Sequence, residues 1–166
     1  MTAEQLRKEA AMLQDTIISE RRYLHTHPGT GFDIADTVDF AKKELTERGY
    51  EPAECGKAGV IATVRGKKGK VFLIRGDMNA LPIREEADID FASQNGKMHA
   101  CGHDMHTAMM LGAARLLKMH EDEIQGTVKL MFQPAEEIFE ASSDIFRDGV
   151  LKNPDVDAAL MIHVIA

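Results

Sequence analysis

The sequence lacks several features that mark particular classes of protein. It has only two cysteines, Cys55 and Cys101, far apart and without a disulfide framework, so we expect free thiols in a reducing, cytoplasmic setting. No stretch approaches the roughly 20 apolar residues of a membrane span. Residues 1–10 lack the apolar core of a signal peptide. We therefore expect a soluble cytoplasmic protein without a membrane partner.

Basic side chains are also in the minority. The chain has 20 Lys and Arg against 27 Asp and Glu, a formal net charge of -7. A nucleic-acid surface needs clustered Lys and Arg, so this balance argues against a nucleic-acid partner. Internal repeats, low-complexity tracts and Gly/Ser linkers are absent as well. The 166 residues fit one domain with a core of its own.

Metal-ligating residue types are concentrated in one stretch, residues 98–107. The side chains concerned are His99, Cys101, His103, Asp104 and His106. In an extended segment residues i, i+2 and i+4 share a face, so the first three are expected to point the same way. A free cysteine alone is often only a small buried hydrophobe. Buried imidazoles need partners, however, and the density of the cluster favours metal coordination.

Apolar runs predict strands at residues 60–64, 71–74, 127–132 and 158–162. The second run is apolar throughout, as in a sheet covered on both faces, and the last strand is expected to be buried. Side chains with useful chemistry follow three of these runs: Asp77, Glu136, Glu137 and His163. Ligands bind at the C-terminal ends of strands in open α/β sheets, so these residues are site candidates. For Asp77 a turn-forming role stays open.

Helical patterns are expected before and between the strands. A capping box of Thr2 and Gln5 opens a helix over residues 3–24. Asp33 or Asp36 is expected to cap the next helix, which ends by residue 49.

Two further helices follow. Asp104 is expected to cap a helix over residues 105–120, and another spans residues 140–148. The pair His25 and His27 resembles a metal signal, but no other ligand chemistry lies near it in sequence. We therefore interpret these two histidines as structural.

The candidate residues combine thiolate, imidazole and carboxylate, which suit zinc or a similar transition metal. Pro134 tends to end its strand, so Glu136 and Glu137 need not point to opposite faces. One glutamate can then bind metal while the other accepts a proton from a metal-activated water and passes it to a leaving group. A Glu-Glu pair alone is usually a solvated loop. Its place after an apolar strand, beside the cluster, favours a functional interpretation.

Four segments in order carry a family resemblance. They are residues 75–83 (RGDMNALPI), 98–104 (MHACGHD), 132–137 (FQPAEE) and 163–164 (HV), and residues 24–28 (LHTHP) also fit. With them the chain resembles the N-terminal part of the M20 metallopeptidase family, in its aminoacylase and hippurate hydrolase-like amidohydrolase branch. The matches extend over nearly the whole chain, which makes the resemblance specific.

The resemblance implies a site for two divalent metal ions. Cys101 would bridge them as a thiolate, with His103, Glu137 and His163 as further ligands and Glu136 as the general base. Zinc or manganese is expected first, with cobalt or nickel as alternatives. The implied reaction is hydrolysis of the amide bond of an N-acyl amino acid or a related small amide.

The resemblance also implies a fold, a three-layer α/β/α zinc-peptidase-like catalytic domain. Residues 1–166 would be the N-terminal portion of that single domain, incomplete and without the inserted dimerisation domain, so a homodimer is expected only for a longer parent. Three departures stand out: Asn79 replaces an aspartate, Gly29 replaces a glutamate, and residues 141–143 replace a Gly-rich segment. A degenerate, non-catalytic homologue that at most binds metal is the alternative, and we expect the isolated chain to be inactive.

Overall fold

A five-stranded mixed sheet organises the chain. A computed structural model describes residues 2–164. The strands are Ala53–Cys55 (β1), Gly59–Arg65 (β2), Lys67–Asp77 (β3), Gln125–Gln133 (β4) and Ala158–Met161 (β5), in the order β1-β2-β4-β3-β5. Strand β3 runs parallel to β4 and β5, whereas β2 is antiparallel to both of its neighbours. The C-terminal ends of β3, β4 and β5 therefore meet at one end of the sheet.

Helices surround this sheet. They are Ala3–Met12 (α1), Gln14–Thr26 (α2), Ala35–Glu47 (α3), His103–Met119 (α4) and Ala141–Arg147 (α5), with 3-10 turns at Glu121–Glu123 and Glu136–Ile138. Helix α2 lies against α4, where the Ile17 side chain packs over Gly112 so closely that an added Cβ would meet it at 2.8 Å. Within residues 2–164, no helix is long and apolar enough to cross a membrane.

One face of the sheet carries the larger core. Val60, Leu130 and Phe132 alternate toward this face and pack with Leu45 of α3 and Leu111 of α4, all five fully buried. Burying each such side chain contributes about 1.5–3 kcal/mol. This contact fixes α4, which carries the candidate ligands at its N-terminus, against the sheet.

The opposite face carries a smaller core. Leu73 of β3 and Met131 of β4 pack there with Ile145 of α5 and Val150. Helices therefore lie on both faces, and the expected three-layer α/β/α arrangement is confirmed.

The N-terminal expectations are only partly confirmed. The Thr2 and Gln5 capping box is present, with both reciprocal hydrogen bonds. The single helix over residues 3–24 was wrong, because the chain breaks at Leu13 into α1 and α2. Neither glycine nor proline marks that break. The cap from Asp33 or Asp36 was also wrong: Ile34 precedes α3, without any side-chain cap.

Two later expectations need correction. Asp104 does not cap α4, because the helix already begins at His103, after Gly102 in the left-handed region with φ +77°. Strand β5 is not buried. All its residues are exposed because it is an edge strand paired only with β3. Phe72, which pairs with Ala158 of that edge strand, is 38% exposed, so β3 is covered on both faces only in part.

Candidate metal centre

The sheet topology brings the predicted site residues to one place. Asp77 ends β3 directly opposite Gln133, the last residue of β4. The 3-10 turn Glu136–Ile138 follows β4, His163 follows β5, and His103 opens α4 at the same end of the sheet. The candidate residues therefore lie close together because three strands end and one helix begins there, although they are far apart in the sequence.

The candidate ligand atoms lie within reach of one another. One ligand atom from each of Cys101, His103 and His163 lies within 4.8 Å of the others, and the same holds for His103, Glu136 and Glu137. Metal bonds of about 2.0–2.3 Å place the ligands of one shared ion about 3.5 Å apart, which a small adjustment of these side chains provides. Because His103 belongs to both groups, they form one centre.

Both candidate histidines present the same nitrogen to this centre. Nδ1 of His103 donates to the Asn79 carbonyl at 2.7 Å, and Nδ1 of His163 donates to the Val164 carbonyl at 2.6 Å. A carbonyl only accepts, so each proton sits on Nδ1 and each Nε2 keeps a free lone pair. Nε2 of His163 lies 3.6 Å from Cys101 Sγ. Metal-binding histidines are characteristically held in this way by their outer nitrogen.

Two polar atoms in the centre are buried without hydrogen-bond partners. Among the described residues, nothing bonds to His103 Nε2 or to Glu137 Oε1, which lie 3.8 Å apart. Buried groups of this kind are rare, because each unmade bond costs about 1–3 kcal/mol. A divalent cation between them would satisfy both, so the donor set fits a metal.

The electrostatics of the centre act on two ligands. Burial lowers the pKa of His103, against the opposing effect of the Asp77 carboxylate, and so favours the neutral imidazole that binds metal. Burial, with the Glu137 carboxylate next in effect, raises the pKa of the Cys101 thiol to about 11. The thiol is thus protonated at neutral pH, and a bound cation would take the place of its proton.

Comparison with known proteins agrees with this geometry. Residues 73–166 match the model of peptidase family M20/M25/M40. The chain belongs to this family. It is 40% identical over 160 residues to N-acyl-L-amino acid amidohydrolase from Geobacillus stearothermophilus, covering 94% of this chain and 43% of that protein.

Two further relatives extend the comparison. The chain is 43% identical over 152 residues to IAA-amino acid hydrolase ILR1-like 5 from Arabidopsis thaliana, covering 90% of this chain and 34% of that protein. A Bacillus subtilis crystal structure, described as a dinuclear metal-binding peptidase from the M20 family, matches with a TM-score of 0.88 at 40% identity, covering 93% of this chain and 44% of that one. The chain has the M20 catalytic fold but spans less than half the length of these relatives.

The departures from the M20 pattern have local structural explanations. A Cβ at Gly29 would lie 2.4 Å from the Asp33 carbonyl oxygen, so this backbone has no room for the glutamate that the resemblance predicts. Its own carbonyl accepts from the Ala80 N–H at 2.7 Å, beside Asn79. Residues 141–143, in place of a Gly-rich segment, form the first turn of α5.

Asn79 is the departure that lies inside the centre. Its Oδ1 accepts the Glu136 backbone N–H at 2.9 Å, while its carbonyl accepts from His103. The side chain is fully buried, and its Nδ2 has no partner among the described residues. One neutral residue therefore holds both the candidate general base and a candidate ligand.

The two glutamates lie on a turn of unusual backbone geometry. Ala135 and Phe139 bracket Glu136–Ile138 with φ values of 49° and 58°. Left-handed conformations cost non-glycine residues about 1–3 kcal/mol and persist where the surroundings enforce them. Glu136 and Glu137 lie in a 3-10 turn and not in a strand, so they need not point to opposite faces of the sheet. This agrees with the expectation that Pro134 ends the strand.

The structure places His106, to which the sequence analysis gave no role, and the site candidate Asp77 close to the predicted ligand His103. Atoms of Asp77, His103 and His106 lie within 4.8 Å of one another, and Asp77 and His106 are fully buried. Arg75 pairs with the Asp77 carboxylate, so we do not assign Asp77 as a ligand. The three-residue spacing of His103 and His106 places both on one helix face and is the signal that could have revealed His106.

His99 stands apart from the centre, contrary to the shared face expected for residues 99, 101 and 103. It belongs to no ligand group of the described residues, because the chain turns at Gly102 and enters α4. Both its ring nitrogens are buried without partners, and burial lowers its pKa to about 4. It lines a cavity of about 320 Å³ beside Cys101 and His163.

The histidines of the other pair, His25 and His27, contact carboxylates and an aromatic ring. His25 is buried between two carboxylates, with Nδ1 2.7 Å from Asp104 and Nε2 2.8 Å from Glu85. The His27 ring stacks on Tyr23 at 4.3 Å. Neither belongs to a ligand group among residues 2–164.

Proposed function

We propose that this chain is the metal-binding part of a metal-dependent amidohydrolase that cleaves N-acyl amino acids or related small amides. The observation that carries the proposal is the convergence of Cys101 Sγ, Glu137 Oε1 and the free Nε2 atoms of His103 and His163, with Glu136 beside them. Metal-dependent amide hydrolysis also agrees with membership of the M20 family.

Each residue has a distinct part in this proposal. Cys101, His103, Glu137 and His163 would hold two divalent ions, zinc or manganese first and cobalt or nickel as alternatives. When bound, such ions supply Lewis-acid activation of water and of the scissile carbonyl. Glu136 accepts the proton of the attacking water and delivers it to the leaving nitrogen as the C–N bond breaks, which yields a carboxylic acid and an amine.

The substrate class is supported by two observations. The Geobacillus relative is named an N-acyl-L-amino acid amidohydrolase and the Arabidopsis relative an IAA-amino acid hydrolase. The cavity beside Cys101 and His163, about 320 Å³, is at the lower end of the range for small-molecule sites. Arg21, Met105 and Val164 contribute to its walls, so it offers apolar surface with one positive charge.

A second candidate is a homologue that binds metal without catalysis. Asn79 favours it, because a neutral amide supplies no charge to steady a ligand or the ions. The coverage of only 43% of the Geobacillus relative also means that activity is to be sought in a longer parent. A cytoplasmic location and a homodimeric parent remain predictions.

Metal content tests first whether the proposed site forms, which both candidates require. We expect about two transition-metal ions per 166-residue chain after dialysis, measured by elemental analysis. The Cys101→Ala variant should lose most of this metal because its thiolate would bridge the ions. Unchanged metal in that variant would exclude the bridging role, and wild-type chain without metal would argue against a site that assembles on its own. Release of amino acid from N-acetyl amino acids by a metal-loaded longer parent then separates enzyme from non-catalytic homologue.

A further inference from the structure

We infer that His106 is a positioning residue that fixes the His163–Val164 segment, and with it Nε2 of His163, against the first turn of α4. His106 is fully buried and belongs to no ligand set assigned above. The inference deepens the proposed function. The expected effect of His106 on metal affinity rests on that function, whereas the hydrogen bond between Val164 and His106 does not.

The first observation is a hydrogen bond to the backbone beside the ligand. Strand β5 ends at Met161, and within residues 2–164 the last backbone hydrogen bond to the sheet is the Ile162 N–H donating to the Arg75 carbonyl at 3.3 Å. Beyond it, the Val164 N–H donates to Nε2 of His106 at 2.9 Å. This bond holds the backbone on the far side of His163, beyond the last strand pairing of the described residues.

The second observation is the packing around this bond. Gly102 has φ +77°, and a Cβ there would lie 2.4 Å from Val164 Cγ2. The missing side chain therefore lets Val164 lie directly on the start of α4. The His106 and His163 rings are also in contact, with centroids 4.6 Å apart and an interplanar angle of 65°. The first turn of α4 therefore contacts the Val164 amide, the Val164 side chain and the His163 ring.

The third observation concerns the tautomer of His106. Because Nε2 accepts the Val164 N–H, a neutral ring carries its proton on Nδ1. Nδ1 lies 3.7 Å from Asp77 Oδ2, and both side chains are fully buried. The negative carboxylate favours a proton on that nitrogen, so it favours the tautomer in which Nε2 is an acceptor. Asp77, at the end of β3, thereby favours the form of the ring that accepts the Val164 amide, although the two side chains are not hydrogen-bonded.

These contacts predict a specific consequence for metal binding. An outer contact that orients a metal ligand typically changes affinity by roughly tenfold to a hundredfold when it is lost. His163 depends on His106 in this way because, within residues 2–164, its own Nδ1 bonds only to Val164 O of the same segment. If the Val164 amide is released, the ring and its hydrogen-bond partner move together.

Two amide substitutions separate positioning from general packing. In His106→Gln the side-chain oxygen reaches the place of Nε2 and can still accept the Val164 N–H. In His106→Asn the amide reaches only the place of Nδ1. We expect His106→Gln to keep Co²⁺ affinity within a few fold of wild type, and His106→Asn to lower it roughly tenfold to a hundredfold. Circular dichroism and thermal unfolding verify that both variants fold.

A direct measurement on chelator-treated wild-type chain needs no variant. NMR should show a through-hydrogen-bond ¹⁵N–¹⁵N coupling between Val164 N and His106 Nε2, with slowed exchange of the Val164 amide proton. His106→Asn should lose that protection and His106→Gln should keep it. Absence of the coupling, or equal Val164 protection in both variants, overturns the inference. If the coupling and protection pattern hold but wild-type chain binds no Co²⁺, positioning stands and the proposed function fails.

Discussion

Asn79 joins the candidate general base to the sheet: its Oδ1 accepts the backbone N–H of Glu136 at 2.9 Å. The bond spans β3 and β4, because Asn79 follows one strand and Glu136 the other. It attaches a turn flanked by two left-handed residues, Ala135 and Phe139, to the segment after β3. The residue that departs from the M20 pattern therefore still performs a structural task that either an amide or a carboxylate can perform.

Two substitutions of Asn79 should separate its hydrogen bond to Glu136 from the effect of a negative charge at this position. Asn79→Ala removes the acceptor of the Glu136 N–H and should lower the free energy of unfolding by about 1–3 kcal/mol, measured by urea denaturation. Asn79→Asp keeps the acceptor but buries a negative charge. It should destabilise chelator-treated chain and raise the affinity for Zn²⁺, because the charge is then balanced by cations. Equal destabilisation of Asn79→Asp with and without Zn²⁺ would contradict a role near the ions.

The two neighbouring glutamates should respond differently to the same change. In a longer parent with activity, Glu136→Gln should lower kcat about 10²–10⁴-fold with metal content unchanged, because it removes proton transfer only. Glu137→Gln is the matched control and should lose metal as well as activity, because its Oε1 faces His103 Nε2 at 3.8 Å. If Glu136→Gln lost metal and Glu137→Gln did not, Glu136 would be the metal ligand and Glu137 the general base.

Metal binding should depend on pH through Cys101. The pKa of this thiol is raised to about 11, so at pH 7 the chain holds a proton that a cation must displace. Affinity should therefore rise with pH, by up to about tenfold per unit below that pKa. Calorimetry in buffers of different ionisation enthalpy should detect about one proton released per chain at pH 7. Cys101→Ser should abolish that release, and an unchanged proton count in this variant would exclude Cys101 as its source.

Most residues of the centre could be predicted from the sequence, because they follow apolar runs or lie in one short motif. Glu136, Glu137 and His163 follow apolar runs, and parallel strands bring such ends together. Cys101 and His103 lie in one short motif. These residues also carry the resemblance to the M20 family, so pattern and chemistry pointed the same way.

What escaped prediction depends on contacts between distant parts of the chain. The bond from Val164 to His106 and that from Glu136 to Asn79 join different elements, and no periodicity encodes them. The exposure of β5 depends on its place at the sheet edge, which the apolar composition of the strand does not reveal. Asp104 is the clearest example. Its position near a helix start is compatible with a helix cap as well as with the buried ion pair that the structure shows.

Asp104→Asn tests which role Asp104 has. Asparagine caps helices about as well as aspartate, so a capping role predicts almost no change in stability. The structure instead shows a fully buried carboxylate that pairs with Arg21 Nε at 2.7 Å and with His25 Nδ1 at 2.7 Å. Removing its charge leaves the Arg21 guanidinium without its carboxylate partner, so we expect a loss of about 3 kcal/mol in the free energy of unfolding.

The control for this change is Asp36→Asn, an acidic residue in the first turn of α3 that forms no ion pair among the described residues. It should change stability by no more than about 0.5 kcal/mol, measured in the same urea titrations. A comparable small effect for Asp104→Asn would mean that the buried pairing contributes little. A large effect confined to Asp104 would show that this carboxylate fastens α2 to the helix that carries His103, and so stabilises the metal centre from outside it.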